Sequence, residues 1–200
     1  MTGLPDGAEC GGRLFQNAGK NAVCSGLCSI QKGNKMAQRK KKQNTKKLKV
    51  VMLGGLSEIG KNLAVIEYEN EMIVVDCGIG FPDDEMPGVD LVLPDFTYLK
   101  ENADKLKGVF ITHGHEDHVG GVPYLLKLID TPVFGTKLSI GIIKNKLREH
   151  NLDYTPELVP VEAGDSVKVG NFTVEFIRVN HSIADSCCLA IRTPAGTVLH

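Results

Sequence analysis

The sequence predicts a mixed α/β (α+β) fold in which two β-sheets pack face to face with helices outside. Three observations predict it. Short apolar runs rich in Val, Ile and Leu recur from Leu48 to the last residue, each bounded by Gly, Pro, Asn or Asp. Strands alternate with helical patterns up to Glu149, and beyond it strands dominate. The run Thr112-His113-Gly114-His115-Glu116-Asp117-His118 stands directly after the apolar stretch Gly108–Ile111, so chemistry-bearing side chains collect at the carboxyl end of a strand.

Taken in order, Leu48–Leu53 is an apolar strand and Gly54-Gly55 a turn. Leu63–Tyr68 and Met72–Asp76 read as strands around a Glu69-Asn70-Glu71 hairpin turn, and Gly78–Asp90 as a Gly/Pro/Asp-rich loop. Phe96–Lys105 has a helical pattern with Asp95 or Thr97 as cap. Strand 108–112 delivers the histidine run. Val119–Leu128 has helical periodicity, Pro132–Phe134 is a short strand, and Lys137–Glu149 is an amphipathic helix. Five further strands follow: Glu157–Val161, Ser166–Val169, Thr173–Val179, Cys187–Arg192 and Thr197–His200. Val198-Leu199-His200 reads as an unfinished strand, so the sandwich is expected to be incomplete at its C-terminus.

The apolar fraction of 42% is enough for a core, and no apolar run approaches the length of a membrane span. The net charge of −1 hides an asymmetry. Residues 1–49 hold eleven Lys and Arg against two acids, the remainder twelve against twenty-two. Residues 1–35 lack periodicity and are unexplained, either disordered or an upstream extension, with translation starting at Met36. Residues 36–47 read as a disordered basic arm, and residues 48–200 as the N-terminal part of the folded domain. Cys24 and Cys28 lack the second pair that a zinc knuckle needs, and Cys187 and Cys188 are adjacent. Reduced thiols in a cytoplasmic protein without a secretory signal are the simpler expectation.

In an extended segment His113 and His115 point to the same side. Neutral imidazoles with a carboxylate suit zinc or a similar divalent ion; the competing reading is a solvated loop. A catalytic zinc takes about three protein ligands. His181, ending the apolar strand 173–179, is the best third candidate, against a structural histidine. His150 needs only a helix-capping role. Asp117 and His118 fit a second ion, since paired metals clamp a displacement at phosphorus. Such a pair needs a bridging carboxylate, and Asp185, in a loop with Ser182 and Ser186, is poorly placed for it. The two serines are candidate substrate contacts. Asp76 either orients a metal-binding imidazole or caps a turn.

With Asp76, the His113–His118 run and His181 in this order, the chain resembles the metallo-β-lactamase superfamily. More specifically, it is similar to the bacterial ribonuclease J family, of the β-CASP group. The similarity lies in Gly54-Gly55-Leu56-Ser57-Glu58-Ile59-Gly60-Lys61-Asn62, Phe81-Pro82, Gly88 through Leu99, Thr112 through Leu125, and His181 through Ser186, where Ala184 stands in place of a common Pro. It covers about Leu48 to His200.

The resemblance implies an αββα sandwich, two zinc ions (manganese being the other candidate) and hydrolysis of RNA phosphodiesters. It assigns His113, His115 and His181 to the first metal, Asp117 and His118 to the second, and Asp76 to the superfamily's first motif. Asp117, His118 and Asp76 are thereby the candidate catalytic residues. It also implies a bridging Asp just past residue 200, then a nucleic-acid-binding domain, a further His ligand and a C-terminal domain; without them the piece is expected to be inactive. The implied role is 5′-to-3′ exonuclease and endonuclease action in rRNA processing and mRNA decay, on single-stranded RNA, as a homo-oligomer within an RNA-decay complex and away from membranes. Two alternatives remain: a non-catalytic scaffold paralogue, and a small-molecule hydrolase such as a thioesterase or lactonase. The acidic body carries no electrostatic footprint for RNA.

Overall fold

A computed structural model describes residues 46–200. The expected upstream extension, the Met36 start, Cys24 and Cys28, and all of the basic arm but Lys46 and Lys47 lie outside the described residues. Ten strands and four α-helices follow one another: β1 Leu48–Gly54, β2 Leu63–Tyr68, β3 Glu71–Val75, α1 Thr97–Glu101, β4 Leu106–Phe110, α2 Glu116–Val119, α3 Val122–Leu126, β5 Val133–Thr136, α4 Lys137–Glu149, β6 Leu158–Val161, β7 Ser166–Val169, β8 Phe172–Arg178, β9 Cys187–Thr193 and β10 Gly196–Leu199.

The first six strands form one sheet in sequence order, antiparallel from β1 to β3 and parallel from β3 to β6. The last four form an antiparallel sheet in the order β10-β9-β8-β7. The period-2 geometry of strands sorts their side chains into two cores. Leu63, Val65, Met72, Val74, Val109 and Ile111 face the helices, meeting Leu99, Val119, Leu125 and Ile143. Ala64, Ile66, Ile73, Val75 and Phe110 face the second sheet, meeting Phe172, Val174, Phe176, Leu189 and Ile191. The central strands are therefore apolar on both faces, as buried parallel strands require.

Two sheets face to face were expected, and they are present. The helices pack on the six-stranded sheet; among the described residues none covers the outer face of the second. No helix among them is long and apolar enough to cross a membrane.

Three elements differ from the sequence reading. The expected helix Val119–Leu128 is two short helices, broken at Gly120-Gly121. Both glycines keep right-handed helical dihedrals, but Gly121 N donates to Cys77 O on the loop after β3, and Pro123 in the first turn of α3 has no N–H to give to Val119 O, so the bond ladder is interrupted there. The helix expected over 96–105 ends at Glu101. Asn102 Nδ2 donates to Tyr98 O, and a 3-10 turn, Ala103–Lys105, leads into β4, which starts two residues early. The N-cap position falls on Phe96, between the two expected caps, and makes no side-chain cap bond; Asp95 Oδ1, one residue upstream, accepts the Thr97 N–H at 2.8 Å in the turn that leads into the helix. Helix α4 has the bounds its periodicity predicts.

Candidate metal centre

The site lies where β3 and β4 end side by side. Asp76 follows β3 with φ 58°, a left-handed conformation that Asp tolerates better than most residues. Its backbone N–H donates to Phe110 O, and the turn sends its carboxylate toward the end of β4. There Asp76 Oδ1 accepts from Thr112 N (2.8 Å) and Thr112 Oγ1 (3.0 Å). Oδ2 lies 2.8 Å from both Thr112 Oγ1 and His118 Nδ1. Asp76 is 1% exposed, so these contacts replace its water shell.

The turn from His113 to Gly121 is held by backbone packing against the loop after β3. Cys77 N donates to His118 O, Ile79 N to Glu116 O, and Asn62 N to Asp117 O. Gly78 makes this approach feasible, since a Cβ there would sit 1.6 Å from Asp117 O. On the other side Cys187 N donates to Thr112 O, tying the start of β9 to the same corner. The two sheets are thus joined where the histidines emerge.

His113, His115 and His181 come together, with one nitrogen from each lying within 4.8 Å of the others. Their rings meet edge to face at centroid distances of 4.8 Å (His113–His115), 4.6 Å (His113–His181) and 5.0 Å (His115–His181). His113 is buried; its Nδ1 lies 2.9 Å from Thr112 Oγ1, and its Nε2 is buried without any partner. A buried ring nitrogen without a partner is costly in an apo protein and fits a metal ligand. Burial, then the neighbouring His118, push the His113 pKa down to about 4 against the opposing pull of Asp76, with His181 and His115 adding to the fall. The ring is therefore neutral, the form that binds metal.

Asp76, His118 and Asp117 form an adjoining chain. The His118 ring centroid is 4.0 Å from that of His113, and its Nε2 lies 3.5 Å from Asp117 Oδ2. Burial opposes charge on His118, but the hydrogen bond to Asp76 and the charges of Asp76 and Asp117 outweigh it and raise its pKa. With Nδ1 donating to Asp76, the neutral form of the ring has its lone pair on Nε2.

Ser182 is exposed beside His181. Ser186, expected as a substrate contact, is 3% exposed, and its Oγ donates to Ile183 O at 3.0 Å within the same loop. Asp185 pairs with Arg178 at 3.8 Å. Two residues of the site escaped the sequence reading. Thr112 links Asp76 to His113, and Asn62 Nδ2 donates to Asp117 Oδ2 at 3.1 Å. Asn62 was visible as the last residue of the Gly54–Asn62 segment that carries the family resemblance, but nothing local gave it a role.

Comparison with known proteins agrees with this geometry. The metallo-beta-lactamase superfamily profile matches residues 58–199. The chain is 50% identical over 162 residues to a ribonuclease J of Synechocystis, covering 80% of this chain and 25% of that protein. It is 47% identical over 154 residues to a ribonuclease J of Helicobacter pylori (76% and 22%) and 44% identical over 154 residues to one of Mycobacterium tuberculosis (76% and 27%). The chain thus spans about a quarter of the length of these curated relatives. Among solved structures, the metallo-beta-lactamase fold protein YhfI of Bacillus subtilis aligns with a TM-score of 0.54 at 18% identity, over 76% of this chain and 61% of that one. The short form of human tRNase Z aligns with a TM-score of 0.51 at 21% identity, over 75% and 67%. These two likenesses show the fold alone. The strand-end histidine cluster, the two-sheet core and the profile match over most of its length agree: the chain belongs to the metallo-β-lactamase superfamily, and its relatives there are ribonucleases J.

Proposed function

We propose that this chain belongs to a zinc-dependent ribonuclease that hydrolyses phosphodiesters of single-stranded RNA in cytoplasmic RNA processing and decay. The observation that carries this reading is the buried, unpartnered Nε2 of His113 inside the three-histidine cluster, beside the Asp76–His118–Asp117 chain. The names of the relatives supply the substrate class. Assembly into a homo-oligomer and an RNA-decay complex belongs to the same proposal and rests on the family resemblance.

In this reading His113, His115 and His181 hold one ion, and Asp117 and His118 hold a second, with manganese as the alternative metal. When bound, such ions lower the pKa of water to about 7 and neutralise charge that develops on the phosphodiester. The chain's own residues do the positioning. Asp76 directs the neutral His118 ring into the tautomer whose Nε2 is unprotonated, and its bonds to Thr112 fix the corner from which His113 emerges. Burial keeps His113 neutral down to about pH 4, so its lone pair stays available under ordinary conditions. Ser182, exposed beside His181, is the remaining candidate to contact substrate.

The test is single-turnover cleavage of a 5′-monophosphorylated single-stranded RNA by the gene's full-length product, with RNA binding and elemental analysis in parallel. Wild type should carry about two zinc ions per chain and cleave. His113→Ala should lose metal and activity together. Asp117→Ala should keep its fold and RNA binding while cleavage falls by several orders of magnitude, because positioning survives and half of the electrostatic clamp does not. Active protein without transition metal refutes the site. RNA binding without cleavage, in wild type and Asp117→Ala alike, favours a scaffold.

A further inference from the structure

Asn62 closes the segment before β2 and sends its side chain into the cluster. Three acceptors converge on its Nδ2: Asp117 O at 3.0 Å, Asp117 Oδ2 at 3.1 Å and His118 Nε2 at 3.2 Å. An amide nitrogen has two hydrogens, so one acceptor is always left over. The opposite amide orientation would set an oxygen against both Asp117 oxygens, which excludes it. Asn62 Oδ1 instead lies toward Gly55, where a Cβ would come within 2.7 Å of it; Gly55, at φ +79°, has none. The backbone cannot drift either, since Asn62 N donates to Asp117 O at 3.1 Å and Asn62 O accepts from Gly78 N at 3.0 Å.

The amide therefore grips Asp117 twice, on its carbonyl and its carboxylate, and touches the His118 lone pair with the longest of the three contacts. We propose that Asn62 is the positioning residue of the Asp117–His118 pair. It holds Asp117 Oδ2 beside His118 Nε2 in the metal-free protein. Having one hydrogen too few, it yields Nε2 to an arriving divalent cation at little cost. The alternative is a plain loop staple. Glu58 already fills that role, since its Oε1 accepts from Gly55 N at 3.1 Å and its Oε2 pairs with Lys61 at 2.8 Å.

This inference rests on the two-ion reading above, and its test separates the two. The metal-free full chain is titrated with zinc by calorimetry, while NMR follows the Asn62 side-chain amide and the His118 ring nitrogens. Wild type should bind in two steps, and the Asn62 amide protons should shift with the second step only. Asn62→Ala should weaken the second step by about 10–100-fold and leave the first unchanged. Glu58→Ala, which loosens the same segment without touching the amide, should leave the ratio of the two steps as in wild type. Equal weakening of both steps in Asn62→Ala, or no weakening, overturns the proposal. If Asn62→Ala does not fold, the wild-type amide decides: a resonance indifferent to zinc at Asp117 and His118 also overturns it. A wild type that takes up no zinc at these two residues overturns the two-ion reading and this inference with it.

Discussion

Burial and the neighbouring His118 hold the His113 pKa at about 4, whereas a free imidazole titrates near 6.5. Between these values the unfolded chain takes up a proton that the folded chain refuses, so stability rises with pH across that window. His118 acts with the opposite sign. Its raised pKa contributes stability that is present below about 6.5 and lost as pH rises through its folded value. His113→Gln removes the first linkage. Urea denaturation of chelator-treated protein should then show a flatter loss of stability between pH 6.5 and 4, by at most about 3 kcal/mol. An unchanged slope would mean that His113 is charged in the fold. Residue chemistry of this kind is only half legible in a sequence. The histidines announce themselves by spacing, but the burial that keeps one of them neutral comes from distant elements.

At the scale of elements, the turn that carries His115 to His118 is held by what packs beneath it. Gly78 lets the loop after β3 reach the backbone of Asp117, and an added Cβ would meet Asp117 O at 1.6 Å and His118 N at 2.7 Å. Neither atom is the end of a flexible side chain, so Gly78→Ala should cost at least about 3 kcal/mol and reduce zinc binding in the same preparation. Gly141 is the contrasting case. It lies in the exposed interior of α4 with nothing within 4 Å of its Cβ position. Gly141→Ala should raise stability by about 0.5–1 kcal/mol through helix propensity alone. Thermal melts of the two variants check both signs. The sequence marks Gly78 only as the start of a loop and Gly141 only as a blemish in a helix. Which of them is indispensable depends on what lies opposite.

For the whole molecule, the two sheets are held together by a core whose centre is aromatic. Phe110, fully buried, stacks on Phe134 at 4.8 Å and meets Phe176 of the second sheet at 6.2 Å. Phe110→Ala should lower stability by about 3–5 kcal/mol, read as a shift in the urea midpoint. Phe110 ends β4 just before Thr112 and His113, so the same variant should bind zinc more weakly even where it remains folded. Unaltered zinc affinity in folded Phe110→Ala would show that the histidine cluster is positioned independently of the core between the sheets.

Strand alternation and helical periodicity reach the eye through a few neighbouring residues. For that reason β2, β7, α4 and the histidine run at a strand end were determined by the sequence alone. The flanking segments that resemble ribonuclease J were equally local. Tertiary structure decided the rest. It drew the Gly121 N–H onto Cys77 O, which together with the locally readable Pro123 divides the helix after Val119. It brought His181 across from the second sheet to His113 and His115, and set the Asn62 amide against Asp117 and His118. Each of these outcomes depends on contacts between elements far apart in the chain, and no local pattern of residue types encodes the distance between them.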